Sequence, residues 1–371
     1  MVAYERALLE AAGHEVVLHH VENPAGAART AAALAVAPWN PAAARAMRAE
    51  VRRCRPDVAH VHNTWFSLSP SVLRALRSER VPTAVTFHNF RSLCVNALLY
   101  REGAPCERCV GKVPWRGVVL RCYRGSAVAS AAVAATAVVG RGTGAWREAG
   151  RVVALTDFAA DRFAATGIPR DRITVLPNVA PDPGPRSSPP SASDRVLFVG
   201  RLSEEKGVGP LLEAWAAAPR ALRLTIVGEG PLDDELRRAA PPGVELLGAL
   251  PADRVAELMR TSRALVLPST WYEMFPRVLV EAFASGLPVL VNDLGALPEL
   301  VGDPLGPSWV VAPGTAAWSD AFRRLDDGAA ADAAGAAARR AYETTYAPAL
   351  GRARLEALYD ELRAEQAVAA R

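Results

Sequence analysis

Two periods of apolar spacing run through this chain, one helical and one extended. The opening "MVAYERALLEAAGHEVVLHHV" places Leu8, Leu9 and Ala12 on one helical face with Gly13 behind them, which predicts the end of an amphipathic helix. "HEVVLHHV" then reads as a strand, Pro41–Arg55 as a helix, and "PDVAHVHN" as a further short strand. "SPSVLRALRSERV" predicts a helix and "PTAVTFHN" a strand, the βαβ alternation of a parallel sheet. An alanine-rich helix from Ala127 follows, and "GRVVALTDFAADRFAATGIPRDRITVLPNVA" predicts strand, helix, strand. "PDPGPRSSPPSAS" (Pro181–Ser193) has the Pro/Ser content of a linker. Beyond it a second βα series carries strands in "RVLFVGRLSEEKGV", "LRLTIVGEGP", "VELLG", "ALVLPS" and "LPVLV". The tail "GRARLEALYDELRAEQAV" predicts one last amphipathic helix. Two doubly wound α/β halves imply a ligand cleft between them, at the carboxyl ends of the strands.

Length agrees with that division, because 371 residues exceed one ordinary core. Half the residues are apolar and 22% are charged, an ordinary globular balance. The formal net charge of +4 is small, and no Lys/Arg block interleaves with aromatics, so no nucleic-acid partner is expected. The first segment reads as a helix and not as a signal peptide. The apolar run Ala127–Val139 is too short to span a bilayer. A cytoplasmic protein is expected, with peripheral membrane contact allowed. Of five cysteines, Cys94, Cys106, Cys109 and Cys122 fall in one segment, which in a reducing compartment points to metal or redox chemistry before disulfides.

Two glutamates stand in the otherwise apolar stretch "PSTWYEMFPRVLVEAFASGLPVLV", and burying them unpaired would be costly. "ALVLPS" is a strand, Trp271–Met274 a turn, and Pro276 suits the first position of a helix running from Arg277 through Ala284. Glu273 then lies just ahead of the helix and Glu281 on it. The amides around Phe275–Val278 offer donors at the positive end of the dipole, an anion site. Taken alone, the simpler account makes Glu273 a cap and Glu281 a solvated side chain. A glycosidase pair fits poorly: eight helical residues separate the Cα atoms by about 12 Å, against carboxyl separations of about 5 Å for retaining enzymes or roughly 6.5–9.5 Å for inverting ones.

In "VLFVGRLSEEKGV" a strand ends at Gly200, and Arg201 and Lys206 follow in the loop. Two cations there suit a diphosphate, whose developing leaving-group charge they would stabilise. A basic loop paired with Glu204 and Glu205 is the alternative. "IVGEGP" lacks the third glycine of a dinucleotide fingerprint and reads as a tight turn. In the first half, "TFHNF" puts His88 at a strand end, a candidate site group. His60 and His62 share a strand face, but a metal site there lacks further ligands nameable from sequence.

"GRLSEEKG" followed by "EMFPRVLVEAFASGLPV" resembles glycosyltransferase family 4, the retaining GT-B enzymes, over nearly the whole chain. The family's Glu, seven residues, Glu signature is matched by Glu273 and Glu281. The resemblance implies two Rossmann-like domains facing a central cleft: residues 1–185, lacking the first strand, and residues 194–350. The helix 351–371 returns to the first domain. It implies a nucleotide-diphospho-sugar donor, UDP- or GDP-linked, and a glycan, lipid-linked or natural-product acceptor, within EC class 2.4. Arg201 and Lys206 would grip the diphosphate beside Gly200, and Glu273 would bind donor-sugar hydroxyls. Glu281 would hold the ribose, and Phe275, Pro276, Arg277 and Val278 would present backbone to the donor. His88 matches a histidine near the donor sugar, and Asn178 in "VLPNVA" a hinge-side position. No catalytic metal is implied, and the departing phosphate oxygen deprotonates the acceptor.

Two departures stand out. Family members begin with a strand and a glycine-rich turn ahead of the first helix, whereas "YERALLEAAGHEV" resembles the part that follows. A truncated or misassigned start is one reading. A catalytically impaired nucleotide-sugar-binding homologue or partner protein is the other. The segment "HNFRSLC…PCERC…RCYRGS" resembles a subgroup carrying such cysteines. Cys94, Cys106, Cys109 and Cys122 are there either a structural zinc clip or reduced thiols, and the residues leave both open.

Overall fold

The computed structural model describes residues 1–217 and 221–369. Along the chain, β1 (Ala59–Val61) and β2 (Thr83–Thr86) precede a short antiparallel pair, β3 (Tyr100–Arg101) and β4 (Ala104–Pro105). Next come β5 (Arg151–Ala154) and β6 (Ile173–Val175), which join the first two in an all-parallel sheet of order β1-β2-β5-β6. All four residues of β2 are buried, as expected of parallel strands covered on both faces.

A second parallel sheet follows, built from β7 (Arg195–Val199), β8 (Arg223–Val227), β9 (Val244–Gly248), β10 (Ala264–Leu267), β11 (Val289–Asn292) and β12 (Val310–Val311). Its order, β12-β11-β10-β7-β8-β9, grows outward from β7 to β9 and then returns to the other side of β7. The strand order therefore reverses between β7 and β10, the switch point where parallel sheets leave a crevice at the strands' carboxyl ends.

The chain divides into two compact units. One holds Met1–Leu99, Cys106–Pro177 and Arg352–Arg371; the other holds Tyr100–Pro105 and Asn178–Gly351. The β3–β4 hairpin thus groups with the second unit although its flanks belong to the first. The last helix, Pro348–Ala369, changes unit after Gly351, and its Leu358 and Leu362 share a core cluster with Ala84 and Val153.

One expected strand is absent. Residues 14–21 form no strand, and Val17, Leu18 and Val21 are 42%, 48% and 40% exposed. Alternating apolar residues make a strand only where a neighbouring backbone can pair with them, and neither sheet supplies one here. The Pro/Ser-rich segment is no free tether either. Arg186 donates to the carbonyls of Met259 (3.2 Å) and Ser262 (2.6 Å), and Arg339 grips both oxygens of Asp182 at 2.7 Å. Those bonds set the border between the units at Pro177/Asn178, ahead of the linker-like composition.

Candidate nucleotide-sugar site

The loops leaving β7 and β10 meet at the switch point. Gly207, at φ +70°, closes the β7 loop so tightly that a Cβ would sit 2.1 Å from the carbonyl oxygen of Pro268. Only glycine allows that approach. The amide of Thr270 then donates to the carbonyl of Glu205 at 2.9 Å, stitching the loops together. Asn292 braces the β10 turn by donating to the carbonyls of Pro268 and Ser269, both at 2.9 Å.

On this frame Lys206 Nζ donates to Glu273 Oε1 at 2.7 Å, and Ser269 Oγ donates to the same oxygen at 2.6 Å. Glu273 is only 4% exposed, so the lysine and the hydroxyl are what make its burial tolerable. Lys206 Nζ also lies 5.2 Å from the centre of the Trp271 ring. The following helix spans Arg277–Ala284, as its Pro276 start and Gly286 stop predict, and no side chain caps it. The amide of Leu279 donates to the carbonyl of Pro276 at 3.0 Å, so the amides of Arg277 and Val278 are the ones left to solvent or a ligand, at the positive end of the dipole.

The remaining predicted residues are engaged close to home. Arg201, 61% exposed, donates to Glu205 Oε1 at 2.5 Å and to Ser203 Oγ at 3.2 Å. Burial raises the Glu205 carboxyl, but Arg201 and Ser203 outweigh it and hold the group below the usual carboxylate range. Glu281 accepts from Arg277 one helical turn away at 3.1 Å. Gly200 is half-buried, and a side chain on Gly228 would meet its carbonyl oxygen at 1.9 Å, so "IVGEGP" is a turn pressed on the β7 loop. Asn178 is buried and opens the longer segment of its unit, Asn178–Gly351.

Several groups at this site escaped the sequence reading. The indole Nε1 of Trp271 is buried without a hydrogen-bond partner, an orphan donor beside Lys206. Its neighbour Ser269 was within the quoted stretch, but its bond to Glu273 depends on the turn. Tyr100 Oη donates to Glu204 Oε1 at 3.4 Å and accepts from Thr270 Oγ1 at 3.2 Å, so the hairpin touches both loops. No local pattern marks a partner 170 residues away.

In the first unit, His88 follows β2, with Nε2 3.1 Å from His62 Nδ1. It lines a pocket of about 40 Å³ with Thr64, Trp65, Asn89 and Arg91, room for a few waters only. Burial lowers the pKa of His62, to about 3, and that of His88, so both rings are neutral at pH 7. Of the four clustered cysteines, Cys94 and Cys109 are buried, and burial raises both thiols. Cys94 Sγ bonds Asn96 Oδ1 at 2.9 Å. Among the described residues no three of these thiols lie within 4.8 Å of one another, so a shared zinc would require them to close up.

Two parallel sheets, each wound with helices, and a loop site at a strand-order reversal define the GT-B class of α/β proteins. Solved structures agree on the fold. *Anabaena* HepE in complex with UDP is 17% identical, with a TM-score of 0.64 over 88% of this chain and 84% of that one. Sucrose-phosphate synthase from *Thermosynechococcus elongatus* is 17% identical, with a TM-score of 0.63 over 87% and 77%. Residues 2–180 match the family profile "Glycosyltransferase Family 4", and residues 193–327 match "Glycosyl transferases group 1". The chain belongs to glycosyltransferase family 4. Among curated relatives, D-inositol 3-phosphate glycosyltransferase of *Nocardia farcinica* is 34% identical over 205 residues, 48% of this chain and 45% of that protein. A GDP-mannose-dependent alpha-mannosyltransferase of *Mycobacterium tuberculosis* is 34% identical over 163 residues, 42% of each. The match spans less than half the length of these relatives.

Proposed function

We propose that this chain transfers a sugar, with retention, from a nucleotide-diphospho-sugar to a glycan, lipid-linked or small-molecule acceptor. The observation that carries the reading is the 2.7 Å bond between Lys206 and Glu273, which joins the β7 and β10 loops at the switch point. A cation, a buried carboxylate and an uncapped helix start together suit a diphosphate with a sugar attached. A relative named for GDP-mannose and a fold neighbour holding UDP support the donor class.

In this reading Lys206 and the amides of Arg277 and Val278 stabilise the charge that grows on the leaving diphosphate. Arg201 joins them by exchanging Glu205 for a phosphate oxygen, an exchange its exposure permits. Glu273 accepts hydrogen bonds from donor-sugar hydroxyls, and Glu281 turns from Arg277 to the ribose. The leaving phosphate oxygen takes the acceptor's proton, so no protein base is required. The cations do the charge work a divalent ion does in other transferases.

Release of nucleoside diphosphate across a panel of UDP- and GDP-sugars tests this. Glu273→Ala and Lys206→Ala should each lower transfer by at least a hundredfold while circular dichroism stays unchanged. Wild-type rates from either folded variant would remove the site.

A further inference from the structure

We propose that Glu5, His60 and His62 form a binding site for one divalent transition-metal ion of the zinc class, pinning the first helix to the edge of the first sheet. The proposal stands apart from the donor site, in a different unit of the chain. His60 and His62 alternate along β1 and its exit, and their ring centroids are 4.2 Å apart. The helix Val2–Ala11 brings Glu5 against them, supplying the third ligand that the sequence does not reveal. Ligand atoms of all three lie within 4.8 Å of one another.

The orientation favours an ion over a hydrogen bond. Glu5 Oε2 is 3.2 Å from His62 Nε2, yet it is buried without a hydrogen-bond partner. The two atoms are close without being aligned as donor and acceptor. A tetrahedral ion with bonds of 2.0–2.1 Å holds its ligand atoms roughly 3.3 Å apart, which matches this spacing. Oxygen and nitrogen lone pairs converging on one point are what such an ion needs.

Outer partners are also in place. The other nitrogen of His62, Nδ1, is 3.1 Å from His88 Nε2. His60 meets Tyr359 Oη through Nδ1 (2.8 Å) and Thr86 Oγ1 through Nε2 (2.7 Å). One hydroxyl can turn away to free a ligand nitrogen while the other holds the ring, the arrangement typical of metal-bound imidazole. The consequence is mechanical, because Leu9 is the sole buried residue of this helix.

The test is titration of metal-stripped, full-length protein with cobalt(II) and zinc(II), following absorption, calorimetry and thermal midpoint. We expect one equivalent of cobalt bound with visible bands but no thiolate charge-transfer band, which separates this site from the cysteines. The near-isosteric Glu5→Gln should weaken binding at least tenfold and abolish the zinc-induced rise in midpoint. His62→Ala should remove the site, while Cys106→Ser with Cys109→Ser should leave it intact. Circular dichroism establishes that each variant is folded. No binding to folded wild type, unchanged affinity in both folded Glu5→Gln and His62→Ala, or cobalt bound only through thiolates would overturn the proposal.

Discussion

Glu273 shows how one side chain can serve stability and chemistry together. At 4% exposure its carboxylate depends on Lys206 and Ser269, so each partner's removal is felt in the fold. Lys206→Ala should lower stability by about 2 kcal/mol, between the values for exposed and fully buried pairs. Arg201→Ala should cost less than about 1 kcal/mol, because the guanidinium is 61% exposed and the buried Glu205 keeps its bond from Ser203 Oγ at 2.8 Å. Urea midpoints of the two variants give the comparison, and equal losses would contradict this ranking. A second residue-scale test concerns Asp182. The Arg339 guanidinium holds its carboxyl below the ordinary 3.8. A folded-state value below the unfolded one means the native chain binds fewer protons there. The contribution is thus present above pH 3.8 and lost as pH falls through the lower folded value. Asp182→Asn should therefore lower the thermal midpoint at pH 7, with the difference from wild type narrowing toward pH 3.

At the scale of elements, periodicity was informative wherever an element had a partner. "TAVT" and "ALVL" are buried strands, and Arg277–Ala284 is a helix with the ends its Pro and Gly predict. "HEVVLHHV" has the same pattern and makes no strand, since pattern describes a face and not the neighbour that must cover it. The last helix illustrates the reverse case. Its amphipathic spacing is plain, but which core it enters is decided by Leu358 and Leu362 meeting Ala84 and Val153. Leu362, 2% exposed, should cost about 2–5 kcal/mol on truncation to alanine. Differential scanning calorimetry should place that loss in the transition of the unit holding β1, β2, β5 and β6. A loss confined to the other transition would contradict the assignment of this helix.

For the whole molecule, no described helix is long and apolar enough to cross a membrane. The proposed donor groups all belong to the unit Tyr100–Pro105 and Asn178–Gly351. A nucleotide-sugar should accordingly stabilise that unit directly, by about 2.7 kcal/mol at a hundred times its Kd. A thermal-shift screen of UDP-, GDP- and ADP-sugars reads this out and identifies the donor base. The shift should vanish in Lys206→Ala, and its persistence there would place donor binding elsewhere.

Sequence alone determined the α/β class, the two βα series and the strand-end positions of Gly200, Lys206, Glu273 and His88. These follow from local spacing, because apolar period, glycine stops and proline starts act within a few residues. Tertiary structure alone decided that Lys206 reaches Glu273 and that Glu5 arrives beside His60 and His62. It also set the unit border ahead of the Pro/Ser-rich segment and gave the hairpin Tyr100–Pro105 to the second unit. Such pairings join residues tens to hundreds of positions apart, where only the packed backbone, and no local period, fixes the distance between side chains.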